Sequence, residues 1–528
     1  MHHGGPFSIP AINNYIPEKV KPWIFIVIVI IIQFSGGLYL AATNEMVGGM
    51  SLMQQDVLMA GFASLIGMSL TFAIMLRLKM RFTSKFALIT CCSVLIICNL
   101  ISIYTNNIVV LIFTCFIAGI FRMWATFECN STIQLWLTPK RDMSIFFCFI
   151  HLLVQGCILL SGITNMYVIL FSKWQYMHWL IIGLLLIVIF TVTVIFNNKR
   201  FMKPFPLYGI DWLGALIWGF ILLDLNFIFL YGDHYDWLSS WQIKYAFLFL
   251  IIMLPIQLYR ASFIRHAYIP LAVFKYKAVY MGILIYLIID ILIAPANMLE
   301  NIYFGKILGY DTTSSISLNW MALLGIVVGA IFSYFFFARN KNSFKSTFLI
   351  GFALVVVYLC LMYFLIDYTT TKEILYIPIF FRNLGYVIIA IVLQTNLMKV
   401  PFHHFFQGVS AQAFVSVAIG SAWGTCILSQ LFKRITTEKF QLISSHFDSV
   451  NHQAFQIDSG VLSSIVGQHT LIVSLKEMYG VLIIGAFILG IFFILYRYPA
   501  LPFNVYPRMT TIVKVIRQQL PSRYRLKH

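Results

Sequence analysis

The residues with chemistry to offer are ionisable side chains inside long apolar stretches, where each is costly to bury and is a functional candidate by default. The stretch 108–137 is the richest, with Arg122, Glu128, Asn130, Thr132 and Gln134. At 3.6 residues per turn, Glu128 and Thr132 share a helix face. Arg122 and Glu128, six residues apart, are turned about 120° from each other. The pattern suits a polar stripe on a central cavity, with Glu128 carrying a proton and Arg122 tuning it or contacting an anion. The alternative for Arg122 is a structural ion pair to another helix.

Other candidates are scattered. His151 and Gln155 are four apart and share a face, Asp224 with Asn226 interrupts 210–231, and Asp290 interrupts 278–301, with Pro295 and Glu300 beyond it. Arg382 with Asn383 sits in 374–398, and an Asp290–Arg382 partnership across a second cavity is one arrangement these positions allow. Soluble-enzyme signatures are missing: there is no GxSxG, GxxxxGK[ST] or HExxH, and His403-His404 is the only adjacent histidine pair in the apolar stretches. All nine cysteines lie within apolar runs, which argues against a disulfide framework or a zinc site.

Those side chains must be positioned by membrane helices. The 528 residues are 60% hydrophobic and 10% charged, far below the ~25% charge of a soluble domain. A span needs about 20 mostly apolar residues, and such runs occur at 22–42, 54–76, 86–104, 108–137, 144–171, 177–197, 210–231 and 242–259. The series continues at 278–301, 315–337, 347–366, 374–398, 405–432 and 475–496, fourteen in all. The net charge of +18 is not a nucleic-acid footprint. On one side of the alternating spans fall 26 Lys and Arg, including Arg77, Lys79, Arg81 and Lys85 after the second span; six fall on the other. The positive-inside rule then places both termini in the cytoplasm. The first run has no small-residue cleavage site and reads as a retained span.

The expected organisation is a cytoplasmic N-terminus (1–21), a six-helix bundle (22–197) and two inserted helices with linkers (198–277). A second six-helix bundle (278–496) contains an extracytoplasmic loop at 433–474, and a basic tail (497–528) follows. His446, His452 and His469 in that loop lack metal-ligand spacing. An internal echo supports two bundles: Leu76 to Ile89 after the second span matches Phe337 to Ile350 after the tenth, each a basic loop with Arg-x-Lys. Thr138-Pro139-Lys140 and Lys399-Val400-Pro401 repeat the offset of eight spans.

Short motifs along most of the chain carry a resemblance. They are Asp211-Trp212-Leu213-Gly214-Ala215, Trp237-Leu238-Ser239, Pro270-Leu271-Ala272-Val273-Phe274, Leu308-Gly309-Tyr310-Asp311, and Trp174 with Trp179 before the sixth span. The sequence resembles the fourteen-spanner drug:proton antiporters of the major facilitator superfamily. It departs from them at the basic-loop motif, where Leu76 and Thr83 stand in glycine positions, and at the fourth span, where Cys115 stands for an arginine. The resemblance implies an all-α polytopic inner-membrane protein of two six-helix bundles plus two inserted helices. It also implies proton-coupled export of small amphiphilic compounds by alternating access, with 77–85 as a cytoplasmic gating loop and no cofactor. In a two-membrane bacterium it implies a periplasmic adaptor and an outer-membrane channel as partners. Uptake or movement of a lipid-like substrate, and a membrane-embedded enzyme, stay open as alternatives.

Overall fold

A computed structural model describes residues 11–36, 46–48, 52–138, 142–199, 207–296, 298–445 and 459–496. The first half holds α1 (Lys21–Phe34), α2 (Gln54–Thr71), α3 (Met75–Arg81), α4 (Ser84–Tyr104), α5 (Ile108–Leu137), α6 (Met143–Phe171) and α7 (Gln175–Ile195). Two further helices follow, α8 (Trp212–Tyr231) and α9 (Trp241–Phe263). The second half holds α10 (Lys277–Ile293), the single turn α11 (Leu299–Ile302), α12 (Thr312–Ser333), α13 (Phe344–Leu365), α14 (Lys372–Asn396), α15 (Phe402–Ala413), α16 (Gly420–Ser444) and α17 (Ser459–Leu495).

Breaks between helices fall where the sequence supplies caps. Asn107, Asp142 and Asp211 accept from the amides of Val109, Ser144 and Gly214 at 2.9, 3.1 and 2.9 Å, each satisfying an orphan donor of the first turn. Twelve helices are long and apolar enough to cross a membrane, or thirteen if α2 and α3, bent by 68° at their junction, form one span. The chain is therefore a multi-pass membrane protein. The described residues thus account for twelve or thirteen of the expected fourteen. The 14 residues of α1 reach only about 21 Å, short of a ~30 Å hydrocarbon core, and the rest of that expected span lies outside the described residues. The bend ends the apolar part of the second span at Thr71 and turns the basic α3 away from it.

The reading of 433–474 as a loop is also corrected: 433–444 continue α16 and 459–474 begin α17. With α15 and the π-helical turn 414–419, α16 completes a 43-residue helical run, roughly 65 Å at 1.5 Å per residue. That is about twice a bilayer core, so the helix leaves the membrane and continues in water. Lys439 pairs there with Glu477 at 2.5 Å, holding the extension of α16 to α17. His446, His452 and the tail 497–528 lie outside the described residues.

Within each half, helices cross where glycine lets backbones touch. A Cβ at Gly67 of α2 would strike the Phe116 carbonyl of α5, and one at Gly119 of α5 would strike Ser64 of α2. The second half repeats this at α12 and α14, where Gly325 and Gly329 abut the Phe380 and Leu384 carbonyls. These are the second and fourth spans and their counterparts eight spans on. Two seams join the halves, α6 against α12 and α2 against the 414–419 turn. Along the second seam lies α8: Asn226 donates to the Ala418 carbonyl at 2.9 Å, and the Tyr231 hydroxyl donates to Asp56 of α2. Outside it, α9 packs on α8 and presents Tyr245, Ile251, Tyr259 and Phe263 outward.

Candidate functional site

Between the halves lies a cavity of about 450 Å³. From the first half, α2 lines it from Leu65 on, α5 from Met123 to Thr138, and α6 from Met143 to Ile158. From the second, α14 contributes Tyr386 and Gln394, and the run 405–421 completes the wall. Every one of these stretches is the part of its helix nearest the loops 72–84, 138–143 and 397–402. The opposite ends of α2, α5 and α6 do not line it. The cavity is thus one-sided, with Ala11, Lys79 and Lys199 at its mouth.

Its wall is soft and apolar. Five methionines (Met68, Met75, Met80, Met123, Met143) and seven phenylalanines line it, and flexible thioethers and rings re-pack around irregular guests. Polar side chains interrupt it, among them Gln33 and Thr126, hydrogen-bonded to each other at 2.7 Å, Asn130, Gln134, His151 and Gln155. His151 of α6 meets Gln394 of α14 across the two halves. Charged lining residues are Lys79, Glu128 and Lys199, one positive charge in excess.

The charged cluster at the mouth is built by α3 folding back on α5. Lys79 Nζ donates to the Glu128 carboxylate at 2.9 Å, to the Glu128 carbonyl at 3.0 Å and to Thr132 Oγ1 at 3.0 Å. Ser84 Oγ donates to the same carboxylate oxygen at 2.5 Å. Glu128 and Lys79 side chains are 2% and 12% exposed, so this is a buried pair. The structure therefore joins Lys79, which sequence reasoning had placed in a separate loop, to Glu128 and Thr132 of one helix. Of the four basic loop residues, Lys79 alone lines the cavity; Arg77 faces the 209 turn, Arg81 is exposed, and Lys85 donates to the Thr193 carbonyl at 2.7 Å.

Arg122 stands apart. It is buried, donates to Met68 Sδ at 2.6 Å and pairs with no carboxylate among the described residues. It is not the partner of Glu128. Arg382 is not the partner of Asp290 either: it pairs with Glu300, which also accepts from the Tyr358 hydroxyl at 2.7 Å. That cluster and half-buried Asp224 on α8 lie off the cavity, while Asp290 is buried behind its wall. Sequence reasoning missed Lys199, Tyr386 and Gln394 as lining residues. The i, i+4 spacing revealed same-helix pairs, but nothing marked contacts across the halves. Among the described residues no cluster of three or more His, Cys, Asp or Glu could hold a metal.

No family profile matches the sequence, and no curated protein matches it significantly in sequence. Solved structures do match. A proton-dependent oligopeptide transporter superposes with TM-score 0.54 at 10% identity, over 96% of this chain and 100% of that one. A point mutant of the nucleoside transporter NupG gives 0.52 at 10% identity, over 88% and 99%. The human organic anion transporter MFSD10 (TETRAN) gives 0.50 at 9% identity, over 89% and 100%. This chain has a major-facilitator-type fold.

Proposed function

We propose that this protein is a secondary transporter that takes small hydrophobic or amphiphilic compounds into the 450 Å³ cavity and moves them by alternating access. The one-sidedness of that cavity carries the reading: a binding chamber between two bundles, open toward one end only, is one of two states exchanged by rocking. The wall of methionine and phenylalanine, interrupted by polar side chains, supports an amphiphilic guest. The surplus positive charge at Lys199 favours anionic amphiphiles over cationic ones at the mouth. The mouth lies on the side of the basic loops, which the positive-inside rule assigns to the cytoplasm. Loading from that side supports export, and the resemblance to fourteen-spanner drug:proton antiporters supports coupling to a proton gradient in the inner membrane. Such antiport is the finer part of the proposal, as is any adaptor or outer-membrane channel partner.

The test is flux in proteoliposomes of purified protein under an imposed pH gradient, with a panel of amphiphilic cations and bile-salt-like anions. Wild type should move at least one compound saturably, anions best, and Val409→Trp, which fills the chamber, should abolish it. No flux of any compound sinks the amphiphile reading, and undiminished flux in the tryptophan variant removes the cavity from the path.

A further inference from the structure

In the second half, four helix ends meet on the side of the basic loops: the starts of α10 and α13 and the ends of α14 and α17. Between them opens a cleft of about 40 Å³, distinct from the chamber, whose lining includes Lys277, Met281 and Ile285 of α10. Phe344, Lys399 and Tyr496 face them across it. Lys277 Nζ lies over the Tyr496 ring, 5.0 Å from its centroid, and Lys399 Nζ over the Phe344 ring at 5.9 Å. A lysine at a helix end commonly reaches the membrane surface by itself. Here two, from different parts of the chain, converge on one cleft and are near enough to repel each other.

The chain places its carboxylates elsewhere. The segments 264–276, 340–343 and 397–401, and every residue after Glu477, contain no Asp or Glu. The acidic side chains that the described residues hold on this side are engaged away from the cleft: Glu18 with Lys21, Glu128 with Lys79, Asp142 with Lys341 and Asp211 with Arg260. Like charges held in one cleft raise each other's energy, and an anion between them removes that cost. The first turn of α10 adds the positive end of a helix dipole to the same place.

The shape says which kind of anion fits. Lys277, Met281 and Ile285 recur every four residues, so they form one face of α10 that runs ~12 Å from the charge into the apolar layer. A free phosphate ion would meet the lysines and leave the apolar part of the cleft unfilled. We propose that this cleft binds the phosphate of an anionic phospholipid from the leaflet on the basic-loop side, with an acyl chain directed toward Met281 and Ile285. Once bound, the lipid ties α10 to the ends of α14 and α17. The site stands independently of the transport reading above.

The test uses full-length protein stripped of lipid in a nonionic detergent. Thermal unfolding is followed as phosphatidylglycerol, phosphatidylcholine or inorganic phosphate is added. Phosphatidylglycerol should raise the unfolding midpoint saturably, and half-saturation should need at least tenfold more of it in Lys277→Gln combined with Lys399→Gln. Lys277→Arg should keep the response, and so should Lys85→Gln, which removes a basic group on the same side in the first half. Native mass spectrometry gives a second readout that the single variants suffice for. Wild type should retain one phosphatidylglycerol at activation energies that strip phosphatidylcholine, and Lys277→Gln or Lys399→Gln should release it. A response to phosphatidylcholine equal to that for phosphatidylglycerol would make the cleft a general lipid contact, and an equal response to inorganic phosphate would make it a free-anion site. Either result overturns the assignment, as do variants that match wild type in both readouts.

Discussion

Lys79 is the residue on which the mouth cluster turns. Its ammonium gathers the Glu128 carboxylate, the Glu128 carbonyl and Thr132 Oγ1, so removing it strands a carboxylate that is 2% exposed. Breaking a buried pair from one side costs about 3–5 kcal/mol, whereas neutralising both partners costs far less. Lys79→Met should therefore lower the thermal unfolding midpoint of the detergent-solubilised protein markedly, and Lys79→Met with Glu128→Gln should recover most of the loss. An equal drop in the single and double variants would mean that the pair is not what holds α3 against α5. Half of this cluster was legible in the sequence. Glu128 and Thr132 share a face because helical period alone dictates it, but Lys79 reaches them across 49 residues of chain, and no local pattern encodes that. Arg382 teaches the same lesson, since its partner Glu300 is 82 residues away and was visible only as a charge beyond Pro295.

At the scale of elements, the cap of α6 does two jobs. Asp142 accepts from the Ser144 amide and also from Lys341, whose loop belongs to the other half. Burial works to raise its carboxyl, but the hydrogen bonds from Lys341 and Ser144 prevail and hold it below the usual carboxylate value. A depressed carboxylate contributes in full above its unfolded value of about 3.9 and loses that contribution as pH falls through the lower folded value. The tie between halves should thus be unchanged from pH ~8 to pH ~5. Spin labels placed on either side of the mouth should report one distance distribution across that range and a longer one in Lys341→Gln; a shift within that range would contradict the assignment. The loop–helix error at 433–474 has a physical origin at this same scale. Hydropathy finds where a helix leaves lipid, not where it ends, and Lys433, Arg434 and Lys439 read as a loop although α16 carries them on in water. The glycine crossings, by contrast, follow from the eight-span offset already present in the basic loops.

For the whole molecule, charge asymmetry makes a claim about sidedness that chemistry can check. With the mouth in the cytoplasm, a cysteine at position 81, exposed at the end of α3, should react with a membrane-impermeant maleimide in inverted vesicles and not in intact cells. Labelling in intact cells would reverse the orientation and with it the case for export. The fold itself was legible because scarcity of charge leaves few alternatives to membrane helices, while the one-sided chamber was not, since it exists only once two halves meet. The two seams between those halves are not equivalent. One of them carries α8, bonded at Asn226 to the 414–419 turn and at Tyr231 to α2, while the other, α6 against α12, is held by side chains alone, Asn319 on Met166 Sδ and, at one end, Lys341 on Asp142. A door held along one edge swings from that edge. On the proposed transport motion, the side with a whole helix laced across it is the jamb, and the seam held only by side-chain ties at α6 and α12 is the one that opens.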